Sequence, residues 1–127
     1  MKKVNNLKIA VIGCGYWGTV IVLTLLKLGI KNIVVFDNYK ENLKTIKKRF
    51  SKVVIKESLK DIINEKDISG VVICTPASTH FQIAKKFIKK GINLFIEKPV
   101  CLNPLEVHKL QKLSAKKKNI YYVRVRI

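Results

Sequence analysis

Residues 9–29 read IAVIGCGYWGTVIVLTLLKLG: a short apolar run, three glycines and a longer apolar run that contains one lysine. Residues 13–18 within it form a G-x-G-x-x-G pattern between a Val/Ile-rich run and a segment long enough for a helix. In a dinucleotide-binding turn, Gly13 would permit the turn, Gly15 the approach of a pyrophosphate, and Gly18 close helix packing. The helix amino terminus would then face the anion. The stretch therefore predicts strand one, its turn and helix one of a nucleotide-binding sheet.

Two other interpretations of this stretch are less well supported. The basic and then apolar start is similar to a signal peptide or membrane anchor, but three glycines, a Tyr-Trp pair and Lys27 interrupt the apolar run. The same glycines fit the G-x-x-x-x-G of a triphosphate loop, yet Thr19 and Val20 stand where that loop needs Lys and Ser or Thr. We therefore expect a cytoplasmic protein with no membrane segment and no triphosphate site.

Composition predicts a single globular domain over residues 1–127, with no repeat and no linker. Lys and Arg total 26 against 8 acidic residues, a net charge of +18, which makes a polyanion a candidate partner. The lysines are spread over the polar faces of predicted helices, however, and the arginines on which base readers depend are few: Arg49, Arg124 and Arg126. We interpret the lysines as solvated faces, with no specific nucleic acid partner, and keep nonspecific polyanion binding as the alternative.

The cysteines indicate neither a disulfide framework nor a metal site. Cys14, Cys74 and Cys101 are odd in number and widely spaced, without a C-x-x-C pair and with few histidines nearby. Reduced thiols in a cytosolic protein are the expected state.

Beyond the glycines, short Val/Ile-rich runs alternate with segments of helical spacing, which is typical of a parallel sheet with crossover helices. Residues 43–50 and 81–88 carry the clearest helical stripes of apolar residues. This pattern predicts a doubly wound α/β fold, the Rossmann NAD(P)-binding fold, as one domain with strand order 3-2-1-4-5-6. The six predicted strands are residues 7–12, 33–36, 53–55, 71–74, 94–96 and 121–125.

Local signals place the ends of several helices. Thr79 with Gln82 resembles a capping box, as does Asn103 followed by Pro104 at the first helical position. Gly29 and Gly91 fit as helix stops.

Asp37 closes the second predicted strand, about 20 residues past the glycines, where an acidic side chain accepts hydrogen bonds from the adenosine ribose. A carboxylate at this position repels a 2′-phosphate, so we expect NAD as the cofactor and NADP less readily. The positive charge of Lys40 nearby weakens this preference for NAD over NADP. The alternative interpretation is that Asp37 merely begins a turn and binds no cofactor.

Three ordered segments, AVIGCGYWG, VVICTPASTHFQIAKKFIKKG and LFIEKPVCLNPLEVHKL, make the chain similar to the amino-terminal domain of the glucose-fructose oxidoreductase / inositol dehydrogenase (Gfo/Idh/MocA) family. The resemblance covers nearly the whole chain. It implies an NAD(P)-dependent oxidoreductase of sugars or nucleotide-linked sugars. The tyrosine and tryptophan of the glycine loop, Tyr16 and Trp17, are most similar to the branch that acts on nucleotide-linked sugars, and we assign them to the cofactor side of the site.

The resemblance also implies roles for two further loops. Glu97, Lys98 and Pro99 match the family signature E-K-P, in which the lysine lies near the nicotinamide and the reacting hydroxyl and the bond before proline is often cis. Lys98 is thus the candidate catalytic residue, with Glu97 and Pro99 on the cofactor side. Thr75, Pro76 and His80 match the T-P-x-x-x-H segment, which lies along the cofactor; for His80 a purely structural role is the alternative.

The chain also departs from the resemblance. Relatives carry a second, substrate-holding domain after the sixth strand, where this chain ends with residues 124–127. A fragment, a decayed gene and a stand-alone domain all fit this ending. Helix one has almost no polar outward face over residues 20–28, which predicts a homo-oligomer or another partner.

These observations support one leading function and two alternatives. The leading one is the NAD(H)-binding domain of an oxidoreductase acting on the CH-OH group of a sugar or nucleotide-linked sugar, inactive unless a second domain or chain supplies the substrate site. The alternatives are a non-enzymatic cofactor-binding subunit or redox-sensing module, and a basic nucleic-acid-associated protein.

Overall fold

The computed structural model describes residues 3–117 and the backbone of residues 121–123. Within this part of the chain, strands and helices alternate as the sequence predicts. The strands are β1 (Lys8–Ile12), β2 (Asn32–Phe36), β3 (Val54–Ile55), β4 (Gly70–Ile73), β5 (Leu94–Ile96) and β6 (Tyr121–Val123). The helices are α1 (Tyr16–Lys27), α2 (Lys40–Arg49), α3 (Leu59–Ile63), α4 (Ala77–Lys89) and α5 (Pro104–Lys117), preceded by a short 3-10 helix at Val4–Asn6.

The strands form one parallel sheet in the order β3-β2-β1-β4-β5-β6, which confirms the predicted doubly wound Rossmann fold. In the central strand, Ala10 is in register with Val34 of β2 and with Val71 of β4. The side chains are described for the first five strands and the backbone for the sixth. Positions 124 and 125 of the predicted last strand, and the divergent residues 124–127, lie outside the described residues.

Helices cover both faces of this sheet. On one face, α1 and α2 pack on the sheet in a cluster that includes Val11, Val22 and Ile46. On the other face, a second cluster holds the inward residues of α3, α4 and α5, among them Phe87 and Leu110. Because strands of a doubly wound sheet are buried on both faces, their sequences are continuously apolar rather than alternating.

Most of the predicted helix ends are confirmed. Gly29 and Gly91 follow α1 and α4 with φ of +90° and +74°, the left-handed conformation that ends many helices. Asn103 caps α5, since its side-chain oxygen accepts a hydrogen bond of 2.8 Å from the Leu105 N–H, and Pro104 begins the helix.

The capping role predicted for Thr79 and Gln82 is wrong. Helix α4 begins at Ala77, directly after Pro76, whose fixed φ suits a helix start. Thr79 therefore lies in the first turn, with its hydroxyl 2.7 Å from both the Pro76 carbonyl oxygen and the Thr75 hydroxyl. Helix α3 was not predicted; Ser58 caps it by accepting a hydrogen bond of 3.1 Å from the Asp61 N–H.

The outer surface of α1 is apolar, as the sequence predicts, but only part of it is open to solvent. Val22 is buried and most of its apolar neighbours on the helix are half-buried, whereas Leu28 is 64% exposed and Trp17, near the helix start, is 43% exposed. Self-association or partner binding through this surface stays a prediction. Among residues 3–117 and 121–123, no helix has both the length and the apolar character to cross a membrane.

We expect Leu110→Ala to lower the free energy of unfolding by about 2–5 kcal/mol, because it leaves a cavity in a fully buried position of α5. Leu105→Ala, on the same helix and 68% exposed, is the matched control and should change it by less than about 0.5 kcal/mol. Urea denaturation followed by circular dichroism measures both. Equal effects would mean that α5 does not pack on the sheet in solution.

Candidate functional site

Four loops meet at one edge of the sheet, because parallel strands all present their carboxyl ends to the same side. The strand order fixes their sequence along that edge: the loop after β2, which holds Asp37, then the glycine loop after β1, the loop after β4, and the loop after β5. The ligand-bearing loops predicted from widely separated segments are thus neighbours in space.

A cavity of about 760 Å³ opens at this edge. Of the predicted site residues, it is lined by Gly13, Gly15, Asp37, Thr75 and Pro76. Its wall also contains residues that the sequence did not single out, among them Tyr39, Asn42, Ser58, Leu59, Gln82 and Ile83. Tyr39 and Asn42 follow Asp37 closely in the chain. Their proximity to a predicted ribose-binding residue was the one feature of the sequence that could have identified them as cavity residues.

The three glycines of the loop after β1 serve different purposes. A Cβ on Gly13 would lie 2.8 Å from the carbonyl carbon and oxygen of Cys74, and one on Gly18 would collide with the carbonyl oxygen of Gly13. A Cβ on Gly15, by contrast, would meet no protein atom within 4 Å. Gly13 and Gly18 are therefore required by packing within the chain. Gly15 borders open space at the amino end of α1, where a group outside the chain can approach the backbone.

Asp37 is 8% exposed, and its carboxylate joins two loops. One oxygen, Oδ2, accepts hydrogen bonds from the Cys14 N–H at 2.8 Å and from the Asn42 side-chain amide at 3.1 Å. The other oxygen, Oδ1, accepts from the Tyr39 N–H at 2.7 Å. Asp37 therefore does form a turn, as in the alternative interpretation, because its carboxylate accepts a hydrogen bond from the Tyr39 N–H. The same residue also lines the cavity.

Lys40 does not share the main cavity with Asp37. It lines a neighbouring cavity of about 620 Å³, on the α2 side, together with Lys44, Lys47 and Lys48. The two cavities share Asp37 itself. Glu57 also lines both cavities, so two carboxylates lie between the lysines of α2 and the cavity beside the glycine loop.

His80 is buried and connects the loop after β4 to the loop after β5. Its Nε2 lies 2.7 Å from the Thr75 carbonyl oxygen, and its Nδ1 lies 2.8 Å from the Pro99 carbonyl oxygen. A neutral imidazole donates from one nitrogen, whereas a protonated ring donates from both and satisfies both carbonyls. His80 does not line the cavity itself; it joins the loop of Thr75, which does, to the loop of Pro99, which does not.

The segment that contains Lys98 lies beyond the cavity wall. The Glu97 N–H donates to the Ile73 carbonyl oxygen at 2.9 Å, which continues the pairing of β5 with β4 into the loop. The bond between Lys98 and Pro99 is cis, as the sequence resemblance predicted, and the Lys98 side chain is exposed. Glu97, Lys98 and Pro99 do not line the cavity themselves.

Tyr16 and Trp17 begin α1 with their rings in edge-to-face contact, 5.2 Å between centroids. Both are exposed, and neither lines the cavity. Because Tyr16 directly follows Gly15 in the chain, the assignment of these two aromatic residues to the cofactor side stays a prediction.

Two of the three thiols, those of Cys14 and Cys101, are buried. Burial raises the pKa of the Cys14 thiol to about 12, and the charge of Asp37 acts in the same direction. Burial likewise raises the pKa of Cys101 to about 11, with a smaller contribution from Glu106. Since the thiolate is the reactive form, these values argue against thiol-based redox sensing at Cys14 or Cys101.

Within residues 3–117, lysines lie on helices of both faces of the sheet, and those of α5 share a face with those of α4. Lys44, Lys47 and Lys48 lie on α2, on one face of the sheet, and the lysines at 85, 86, 89 and 90 extend along α4 and its end, on the opposite face. A nucleic-acid site generally needs its positive charge on one surface. This distribution favours solvated helix faces over a nucleic-acid interface.

Comparisons with known proteins agree with this geometry. Residues 7–125 match the Gfo/Idh/MocA family model, described as an oxidoreductase family with an NAD-binding Rossmann fold. The scyllo-inositol 2-dehydrogenase (NADP(+)) IolW of Bacillus subtilis is 25% identical over 91% of this chain and 32% of its own length. The inositol 2-dehydrogenase of Rhizobium meliloti is 40% identical over 37% of this chain and 14% of its own length.

Among solved structures, GenD2 from gentamicin A biosynthesis, in complex with NAD, superposes with a TM-score of 0.83 at 25% identity. The superposition covers 92% of this chain and 34% of that one. This chain thus spans about one third or less of the length of the relatives that it matches.

We expect Gly15→Ala to weaken NADH binding at least about tenfold, because the new methyl occupies the space left for the ligand. Its free energy of unfolding should change by less than about 1 kcal/mol, since the methyl meets no protein atom within 4 Å. Gly18→Ala is the contrasting variant and should lower stability by about 1–3 kcal/mol through collision with Gly13. NADH fluorescence titration and urea denaturation measure the two properties. Unchanged NADH affinity in Gly15→Ala would place the pyrophosphate elsewhere.

Proposed function

Since the chain belongs to the Gfo/Idh/MocA oxidoreductase family, an NAD-binding Rossmann family, we propose that it binds the NAD(H) of an oxidoreductase that acts on the CH-OH group of a sugar or nucleotide-linked sugar. The observation that carries this proposal is the cavity at the carboxyl edge of the sheet, with Gly15 beside open space and Asp37 in its wall. The alternative function, a non-enzymatic cofactor-binding subunit, would use the same cavity. A measurement of substrate turnover distinguishes the enzyme from this subunit.

The loops along the edge match the parts of an extended dinucleotide. Asp37, at the end of β2, holds the adenosine ribose, and the backbone at Gly15 faces the pyrophosphate at the start of α1. Thr75 and Pro76, after β4, line the continuation of the cavity toward the loop of Lys98. The contacts of His80 with the carbonyls of Thr75 and Pro99 support a fixed spacing between these last two loops.

A bound nicotinamide dinucleotide supplies the hydride acceptor, and this chain supplies a cationic hydrogen-bond donor. The Lys98 ammonium would donate a hydrogen bond to the reacting hydroxyl oxygen and stabilise the negative charge that develops there, while the hydroxyl proton passes to the water around this exposed side chain. Because the Lys98 side chain is exposed, water weakens its effect on the developing charge. We therefore propose that turnover needs a further domain or a second chain that holds the sugar over Lys98 and excludes water.

We expect NADH to bind more tightly than NADPH, because the buried Asp37 carboxylate lies where the additional 2′-phosphate would be placed. Asp37→Ser should narrow the ratio of the two dissociation constants by about tenfold or more. Asp61→Ser, which removes an equal charge from the exposed surface of α3, should leave the ratio unchanged. Fluorescence titration with both reduced cofactors measures the ratios. Equal affinities in the unmodified protein would remove Asp37 from this role.

We also expect the 127-residue chain to bind cofactor without oxidising sugars at a useful rate. Orientation of a substrate contributes roughly 7–11 kcal/mol to lowering such barriers, and one exposed lysine cannot supply it. The test incubates the purified chain with NAD⁺ and a panel of polyols and nucleotide sugars, and follows the absorbance of NADH. Lys98→Ala should keep the NADH affinity within about twofold, since Lys98 does not line the cavity. Robust turnover that Lys98→Ala abolishes would show that copies of this chain complete the site for one another.

A further inference from the structure

Asn42 lines the cavity, although no pattern in the sequence indicated a role for it. It lies in the first turn of α2, five residues after Asp37, where it is half-buried and lines the same cavity. Its side-chain amide donates to Asp37 Oδ2 at 3.1 Å. This bond joins the helix to the residue proposed to hold the adenosine ribose.

The hydrogen bonds of Asp37 leave little of its carboxylate for a ligand. A carboxylate accepts about four hydrogen bonds, two at each oxygen. Oδ2 already accepts from the Cys14 N–H and from Asn42, whereas Oδ1 accepts from the Tyr39 N–H alone. The Cys14 thiol also hydrogen-bonds to this carboxylate. Among the three bonds whose acceptor oxygen is defined, two are on Oδ2 and one is on Oδ1, so Oδ1 keeps more acceptor capacity.

We propose that Asn42 is a specificity-determining positioning residue that turns Asp37 so that Oδ1 alone receives a ribose hydroxyl. This inference rests on the proposed function of the cavity as a dinucleotide site. With Oδ2 tied to Asn42 and Cys14, the negative charge is fixed beside the ribose and cannot rotate away from a 2′-phosphate. Asn42 thus enforces the discrimination between NADH and NADPH without contributing any charge of its own.

The first test replaces Asn42 by Leu, which has nearly the same shape but donates no hydrogen bond. We expect the NADH dissociation constant to rise about tenfold, as for the loss of a hydrogen bond to a charged group. The NADPH constant should change by less than about threefold, because a carboxylate that has lost one of its two bonds at Oδ2, and keeps only the bond from the Cys14 N–H there, can shift away from the 2′-phosphate. The selectivity ratio then falls. Asn42→Gln, which keeps the amide donor, should retain most of the ratio.

Thr45→Val is the matched control. Thr45 is exposed on the same helix and does not line the cavity, and its hydroxyl donates to the Glu41 carbonyl oxygen at 2.9 Å. This variant therefore loses one side-chain hydrogen bond on α2 without touching Asp37, and both dissociation constants should stay as in the unmodified protein. Thermal unfolding of each variant shows whether the fold is retained.

The outcomes separate this inference from the proposed function. If the unmodified chain binds neither reduced cofactor, both are overturned. If it binds NADH and Asn42→Leu weakens both cofactors equally, Asn42 is merely structural, and the inference is overturned while the function stands.

A measurement on the unmodified protein applies even if Asn42→Leu does not fold. In amide NMR spectra, 5′-AMP supplies the adenosine ribose without the nicotinamide, and 2′,5′-ADP adds the 2′-phosphate. With 5′-AMP we expect the Tyr39 N–H signal to shift, because it shares Oδ1 with the ribose, while the Asn42 side-chain amide stays protected from exchange. 2′,5′-ADP should bind more weakly. Loss of Asn42 protection on 5′-AMP binding would show that the amide releases Asp37, which overturns the proposal.

Discussion

The contact between Gly13 and the backbone of Cys74 is the constraint on which this site depends. A side chain at residue 13 would lie 2.8 Å from the Cys74 carbonyl group, so the loop after β1 approaches the loop after β4 only because that side chain is missing. The same turn lets Gly18 pack on the Gly13 carbonyl and begin α1 close to the sheet. As a result, the open space beside Gly15 lies at the amino end of a helix of 12 residues. The glycine loop is therefore shaped first by contacts within the chain, and its affinity for an anion follows from that shape.

Charge acts on an anionic ligand of this protein in two ways, at long range through the net charge and at short range through a single carboxylate. The net charge of +18 attracts any anionic cofactor, NADH and NADPH alike, and so it cannot discriminate between them. Under the proposed function, discrimination needs a charge at a fixed distance from the ribose, and Asp37 at the end of β2 is the residue proposed to provide it. The cost of burying that carboxylate is offset by three hydrogen bonds from the chain. These bonds also raise the rigidity of the loop, so selectivity and local stability depend on the same group.

The second half of the site is organised differently. Around Asp37 the chain is dense with hydrogen bonds, whereas Lys98 is exposed and is held only through its neighbours. His80 ties the Pro99 carbonyl to the loop after β4, and the Glu97 N–H bonds to the end of that strand. The chain thus fixes the backbone that carries Lys98 while leaving its side chain free. Such an arrangement suits a site whose substrate wall belongs to another part of the protein.

The parts of the fold that depend on local chemistry were predictable from the sequence: the alternation of strands and helices, the glycine turn, the helix stops and the Asn103 cap. These features need only residues that are close along the chain, so composition and spacing identify them. The position of Asp37 at the end of a strand was also predicted from the sequence pattern. The helix start predicted at Thr79 was wrong because Pro76 offers a second start signal three residues earlier, and local sequence does not show which of the two signals is used.

The atoms that Asp37 contacts became known from the tertiary structure alone, since Cys14 lies 23 residues away along the chain and reaches Asp37 through parallel strand pairing. The tertiary structure likewise decided that His80 bridges to Pro99, 19 residues away, and that Asn42 faces the cavity. Contacts of this kind depend on how crossover helices bring loops together at one sheet edge, which no local pattern encodes.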